Sequence, residues 1–116
     1  METELGERAI RSLRCLEAGD HAGMRALCTE SATVWHDDGT GERTLDEQLT
    51  RFASLATTVD SVRFELVRQF TKANEVLQQQ VLHFERADGQ RGGLHATMYF
   101  RFTGGLIERI EEFAHA

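Results

Sequence analysis

From Asp60 to the end of the chain the apolar residues recur at every second position, where before Asp60 they recur at every third or fourth. That change of period commits the second half of the molecule to β-structure. Val62, Phe64 and Leu66 alternate with Arg63, Glu65 and Val67 in a strand reaching Thr71, and Ala73-Asn74 supplies a turn. A second strand runs from Glu75 to Arg86 and turns at Asp88-Gly89; a third runs from Gly93 to Phe102 and turns at Gly104-Gly105 into a fourth, Leu106 to Phe113. Strands of about ten residues joined by such tight turns must form an antiparallel meander. No proline interrupts them.

A long antiparallel meander twists and curls, and its concave face has to be covered. The first half of the chain supplies the cover. Leu5, Ala9, Leu13 and Leu16 recur at helical spacing between Glu4 and Ala18, with Arg8, Arg11, Arg14 and Glu17 between them, which is an amphipathic helix. Gly19 stops it and Asp20 caps a second helix from His21 to Cys28, which buries Met24, Leu27 and Cys28. Ala32 to Trp35 reads as a short strand, and Asp37-Asp38-Gly39-Thr40-Gly41 forces a loop. Thr44 with Glu47 then forms a capping box for a third helix, whose apolar face is Leu45, Leu49, Phe52, Ala53 and Ala56.

The expected fold is therefore α+β in the order ααβαββββ: one domain over residues 1–116, a cone-shaped, curved, mostly antiparallel sheet wrapped over three helices. A sheet wrapped part way round helices leaves a conical cavity, the natural place for a small, largely apolar ligand.

Charge narrows the function. A net charge of −6 without any local Lys/Arg run disfavours nucleic acid and membrane surfaces as partners. The start Met1-Glu2-Thr3-Glu4 is no signal peptide and no apolar run approaches a membrane span, so a cytoplasmic protein is expected. Cys15 and Cys28 then read as reduced, buried thiols. There is no His-Glu-x-x-His helix, Gly-x-Ser-x-Gly motif or phosphate-binding loop, so neither metal nor cofactor is expected.

Three segments resemble the nuclear transport factor 2-like superfamily, including the SnoaL-like polyketide cyclases and the ketosteroid isomerases. They are Leu16-Glu17-Ala18-Gly19-Asp20, Ala32-Thr33-Val34-Trp35-His36-Asp37 and Phe102-Thr103-Gly104-Gly105-Leu106-Ile107. The resemblance implies the cystatin-like α+β barrel and a homodimer formed through the convex face of the sheet, where Tyr99, His95 and Arg101 would lie. For the reaction it implies less, since the fold serves isomerases, cyclases, epoxide hydrolases, dehydratases and binding domains. In ketosteroid isomerases the base is an aspartate on the first strand, and the matching position here is His36. Their oxyanion hole takes a tyrosine from the first helix and a protonated aspartate from the third long strand. Those positions fall on Ser12 and Met98, so both oxyanion donors of that mechanism are missing.

His36 is the foremost candidate, because an imidazole titrating near 6.5 exchanges protons at neutral pH; the alternative is a hydrogen-bonded histidine at a strand end. Asp37 and Asp38 read either as caps of the turn before Gly39 or as carboxylates serving His36, with Asp38 on the same face as the imidazole. The resemblance turns Ile110, Glu112 and Ala114 inward, where Glu112 would be an acid or a partner for imidazolium; its charged flank also fits a protected edge strand. Arg68, on the strand face of Phe64, Leu66 and Phe70, is a buried clamp or a sign that the face is misassigned by one residue. Gln78 and Gln80 either line a polar cavity or face solvent. Ser12, Val34, Met98, Phe100 and Ile110 complete the expected ligand contacts. The leading reading is an enzyme of cyclase, isomerase or hydrolase type centred on His36, Asp38 and Glu112, and the alternative is a non-catalytic ligand-binding or dimerisation domain.

Overall fold

The computed structural model describes residues 2–115. Helix α1 spans Glu2–Ala18 and α2 spans His21–Ala26; β1 is Cys28–His36, β2 Gly41–Thr44 and α3 Leu45–Ala56. Four long strands follow: β3 Ser61–Lys72, β4 Glu75–Glu85, β5 Arg91–Thr103 and β6 Leu106–His115. They form one curved, unclosed sheet in the order β2-β1-β6-β5-β4-β3. Every neighbouring pair is antiparallel except β1 and β6, which run parallel. The expected α+β architecture is present, with β2 as an added short edge strand.

Local chemistry explains the helix boundaries. The Asp20 carboxylate accepts from the Gly23 amide at 2.8 Å and starts α2. Thr44 Oγ1 accepts from the Glu47 amide while the Glu47 carboxylate accepts from the Thr44 amide, closing the capping box of α3. Helix α2 ends two residues earlier than its apolar pattern predicts, so Cys28 opens β1 instead of closing a helix. Burial there pushes the Cys28 thiol up to about 12, which keeps it protonated and inert.

Helix α1 lies on the sheet through Ala9 and Leu13, both fully buried. Its C-terminal turn is pinned to β3 by Glu17, which accepts from the Phe64 amide at 2.6 Å, and by Arg14, which donates to the Phe64 carbonyl at 2.9 Å. Phe100, Leu13, Leu49 and Ile107 are the largest apolar side chains wholly inside. Each such burial contributes about 1.5–3 kcal/mol before chain entropy is counted.

Strand register arranges the concave face in rows. Val34, Ile110, Phe100 and Val76 stand opposite one another across β1, β6, β5 and β4 and form an apolar row. The next row is His36, Glu112, Met98, Gln78 and Gln69, the last on β3. A third row holds Ala114, Ala96, Gln80 and Leu66.

A bulge corrects one expectation. Leu66 pairs with Gln80 but Arg68 pairs with Gln79, so Val67 is an extra residue in β3 and the side-chain alternation reverses beyond it. Gln69 and Thr71 take the concave face, while Arg68 and Phe70 turn out and are exposed. Arg68 therefore does not share a face with Phe64 and Leu66.

Candidate active site

Between α3 and the concave face lies a pocket of about 390 Å³. Leu45, Leu49 and Phe52 of α3 form one wall, with Phe52 stacked 6.2 Å from the ring of Phe64. Val34, Met98 and Ile110 form the opposite wall, and Leu13, Leu16 and Met24 close one end. The volume falls within the range of small-molecule sites, and the lining is mostly apolar with a few convergent polar groups.

His36 and Glu112 are the central pair. The parallel pairing of β1 with β6 sets them directly opposite each other, and His36 Nδ1 lies 2.9 Å from Glu112 Oε1. Their side chains are only 15 % and 21 % exposed, so the contact is poorly screened by solvent. The hydrogen bond to Glu112 holds the imidazole above its ordinary value of 6.5; burial and Arg43 oppose that rise, while Asp38 adds to it. Because Glu112 engages Nδ1, the other ring nitrogen is the one left for chemistry. His36 Nε2 is buried and has no hydrogen-bond partner among the described residues. Geometrically, this is an imidazole oriented by a carboxylate on a residue that lines an apolar pocket, with its second nitrogen buried and unpaired among the described residues, an arrangement suited to accepting or returning a proton.

Asp38 also lines the pocket but is held by other partners. It accepts from the amide and hydroxyl of Thr40 at 3.0 and 2.6 Å, and Arg51 and Arg43 lie 3.4 and 3.6 Å away. The Thr40 hydrogen bonds, aided by Arg43, hold its carboxyl down at about 2. Asp38 therefore stays anionic and closes the loop between β1 and β2. Asp37 continues the strand pairing, donating its amide to the Glu112 carbonyl at 3.2 Å.

The structure brings His36, Asp38, Glu112, Val34, Met98 and Ile110 together around the pocket and leaves three expected contacts outside it. Ser12 is fully buried, with its hydroxyl donating to the Ala9 carbonyl at 2.6 Å, the usual local bond of a helix hydroxyl. Phe100 has no exposed surface and packs in the core with Ala9 and Leu13. Arg68 points away from the pocket because of the bulge at Val67. Conversely, Gln48 and Arg51 were not singled out by the sequence but contribute polar groups from α3. Their only signal was their place beside the apolar stripe of an amphipathic helix. Gln80 lines the pocket and Gln78 is buried beside it, which resolves the ambiguity of the glutamine run in β4; Gln79 is exposed.

Comparison with known proteins fits this architecture. A model of the SnoaL-like domain matches residues 9–110. No curated protein matches the sequence. Among solved structures, AclR, a candidate hydroxylase from Streptomyces galilaeus, superposes with a TM-score of 0.87 at 11 % identity, covering 99 % of this chain and 77 % of its own. A candidate SnoaL-like polyketide cyclase from Jannaschia sp. CCS1 gives 0.84 at 13 % identity, covering 98 % and 86 %. An LEH-like epoxide hydrolase from M. tuberculosis gives 0.79 at 15 % identity, covering 98 % and 84 %. At such identities the likeness shows a shared fold and carries no reaction with it. The family match spans most of the chain, and the protein belongs to the SnoaL-like domain family of the nuclear transport factor 2-like superfamily.

Proposed function

We propose that the chain is a small-molecule enzyme performing general acid–base chemistry, of isomerase, cyclase or hydrolase type, on a largely apolar ligand. The observation that carries the reading is the His36–Glu112 pair on the pocket wall, with the buried Nε2 left without a hydrogen-bond partner among the described residues. In this reading neutral His36 takes a proton from a ligand C–H or from water through Nε2. The Glu112 carboxylate fixes the ring and stabilises the imidazolium that forms. Asp38 keeps the neighbouring loop in place and adds negative potential near the ring. Fold relatives described as a candidate hydroxylase, a candidate SnoaL-like polyketide cyclase and an LEH-like epoxide hydrolase are compatible with such chemistry. We also propose a cytoplasmic homodimer paired through the convex face, where Tyr99 and the exposed Leu77 and Phe70 lie in one row.

Enolisable cyclic ketones and cyclic epoxides are the substrates to screen, with exchange of α-protons in D₂O and epoxide opening as readouts. On whichever substrate is turned over, His36→Ala should lose about 10²- to 10⁴-fold in rate, the usual contribution of a positioned base. Turnover by wild type should rise with pH through the raised value of His36 and level off above it, because the base must be neutral. Full turnover by His36→Ala would overturn the assignment and favour a ligand-binding domain.

A further inference from the structure

The concave face carries a second polar feature that the acid–base pair does not use. Gln78 and Gln80 are 0 % and 2 % exposed, a rare position for glutamine, and they belong to a chain of amides with one direction. Gln69 Nε2 donates to the carbonyl of Gly6 in α1 at 3.0 Å and to Gln78 Oε1 at 2.9 Å. Gln78 Nε2 donates to Gln80 Oε1 at 2.8 Å. Gln80 Nε2 donates to the Met98 thioether sulfur at 2.8 Å.

The direction is dictated at the far end. A backbone carbonyl only accepts, so Gln69 must present its amino group to Gly6. Its amino group also serves Gln78 Oε1, which leaves the Gln78 amino group for Gln80 Oε1 and the Gln80 amino group for whatever comes next. The chain thus delivers a hydrogen-bond donor to the pocket wall, since Gln80 and Met98 both line the pocket. What it meets there is a thioether, a weak acceptor. A buried amide donor satisfied only by sulfur gains by exchanging it for oxygen. Beside Gln80 in its row stand Ala96 and Ala114, both lining the pocket, so small side chains leave room between the amide and the His36–Glu112 end. His36 and Gln80 lie on strands separated by β6 and β5, a span of about 14 Å between backbones at ordinary strand spacing. A fused-ring skeleton bridges that span once both side chains reach inward.

The geometry points to Gln80 as the oxygen-binding subsite of this pocket: its Nε2 donates to a carbonyl or hydroxyl oxygen on the ligand, displacing the Met98 sulfur. The subsite rests on the pocket reading above, and it gives that pocket a polarity, with ligand oxygen toward β4 and the proton-exchanging carbon toward β1. Gln80 is a positioning residue, and Gln69 and Gln78 act through it by fixing which way its amide faces.

Two probes with one carbon skeleton test this: 2-tetralone, which has a carbonyl, and tetralin, which has none. Binding is measured by NMR titration of the 116-residue chain, following the Gln80 side-chain amide signals. The expected results are a shift of those signals with 2-tetralone but not with tetralin, and tighter binding of the ketone by about tenfold, the effect of one net hydrogen bond. Gln80→Met should abolish that preference. Because this variant leaves Gln78 without its acceptor and risks the fold, Met98→Leu provides a second arm. Leucine conserves volume and removes the competing sulfur, so the ketone-to-tetralin affinity ratio should rise several-fold. Equal binding of both probes with silent Gln80 signals overturns the subsite and leaves the pocket standing. An unchanged ketone-to-tetralin ratio in Met98→Leu also overturns it. Failure of both probes to bind wild type removes the pocket reading and the subsite together.

Discussion

At the scale of single residues, His36 gains its character from one neighbour. Burial alone would push an imidazole down, and the Glu112 hydrogen bond reverses that effect. A histidine whose folded value exceeds its unfolded one contributes stability that is fully present below the unfolded value near 6.5 and is lost as pH rises through the folded value. Comparing thermal melts of wild type and Glu112→Gln should therefore give the largest difference below pH 6.5, shrinking as the pH passes the raised value. A difference independent of pH would assign Glu112 a purely packing role. Asp38 has the opposite sense: its depressed value means that its contribution is present above the usual carboxylate range and is lost as pH falls toward 2.

At the scale of elements, α1 and the bulge in β3 position the polar rows. A Cβ on Gly6 would overlap the Gln69 amide oxygen, so a larger residue at this helix position would have to displace that amide. In an open helix Gly→Ala stabilises by about 1 kcal/mol. Gly6→Ala should instead lower the melting temperature, because Gln69 must move and the amide chain loses its anchor; a higher melting temperature would refute the anchor. The bulge also marks where the sequence stopped being legible. The alternation of Val62, Phe64 and Leu66 announced a strand and its inner face, but no local signal at Val67 distinguishes a bulged residue from a paired one. Unbroken alternation therefore sets Arg68 on the inner face and gives Gln69 no role there. Strand β2 was missed for a related reason: Gly41–Thr44 has no apolar alternation and is held by pairing with β1, a tertiary effect. Periodicity and caps did reveal the three helices, the four long strands and their turns, because those signals are local. His36 and Glu112 were both recognisable as candidates from their residue types. The resemblance already offered Glu112 beside Asp38 as a partner for the imidazolium, but which carboxylate makes the contact was not legible, since it depends on the parallel pairing of strands that lie 76 residues apart in sequence at this position.

At the scale of the whole molecule, that pairing closes the architecture. Strand β6 docks between β5 and β1, joins the end of the chain to its first strand, and sets the carboxylate beside the imidazole under the wall made by α3. On the opposite face Trp35, Glu111, Tyr99, Leu77 and Phe70 form one row across the sheet, and Trp35 packs on Phe113 with ring centroids 5.3 Å apart. If the convex face pairs two copies, Leu77→Glu should leave the fold intact, since Leu77 is 45 % exposed, and shift sedimentation from dimer to monomer. A wild type that sediments as a monomer, or a variant that stays dimeric, would exclude that face.

The measurement that bears most directly on the site is the NMR titration of the His36 ring in wild type and in Glu112→Gln. A value above 6.5 in wild type that falls in the variant, where only Asp38 still opposes burial, is the result expected of a carboxylate-oriented base at the pocket. A wild-type value at or below 6.5 that Glu112→Gln leaves unchanged would contradict the pairing on which the proposed chemistry depends.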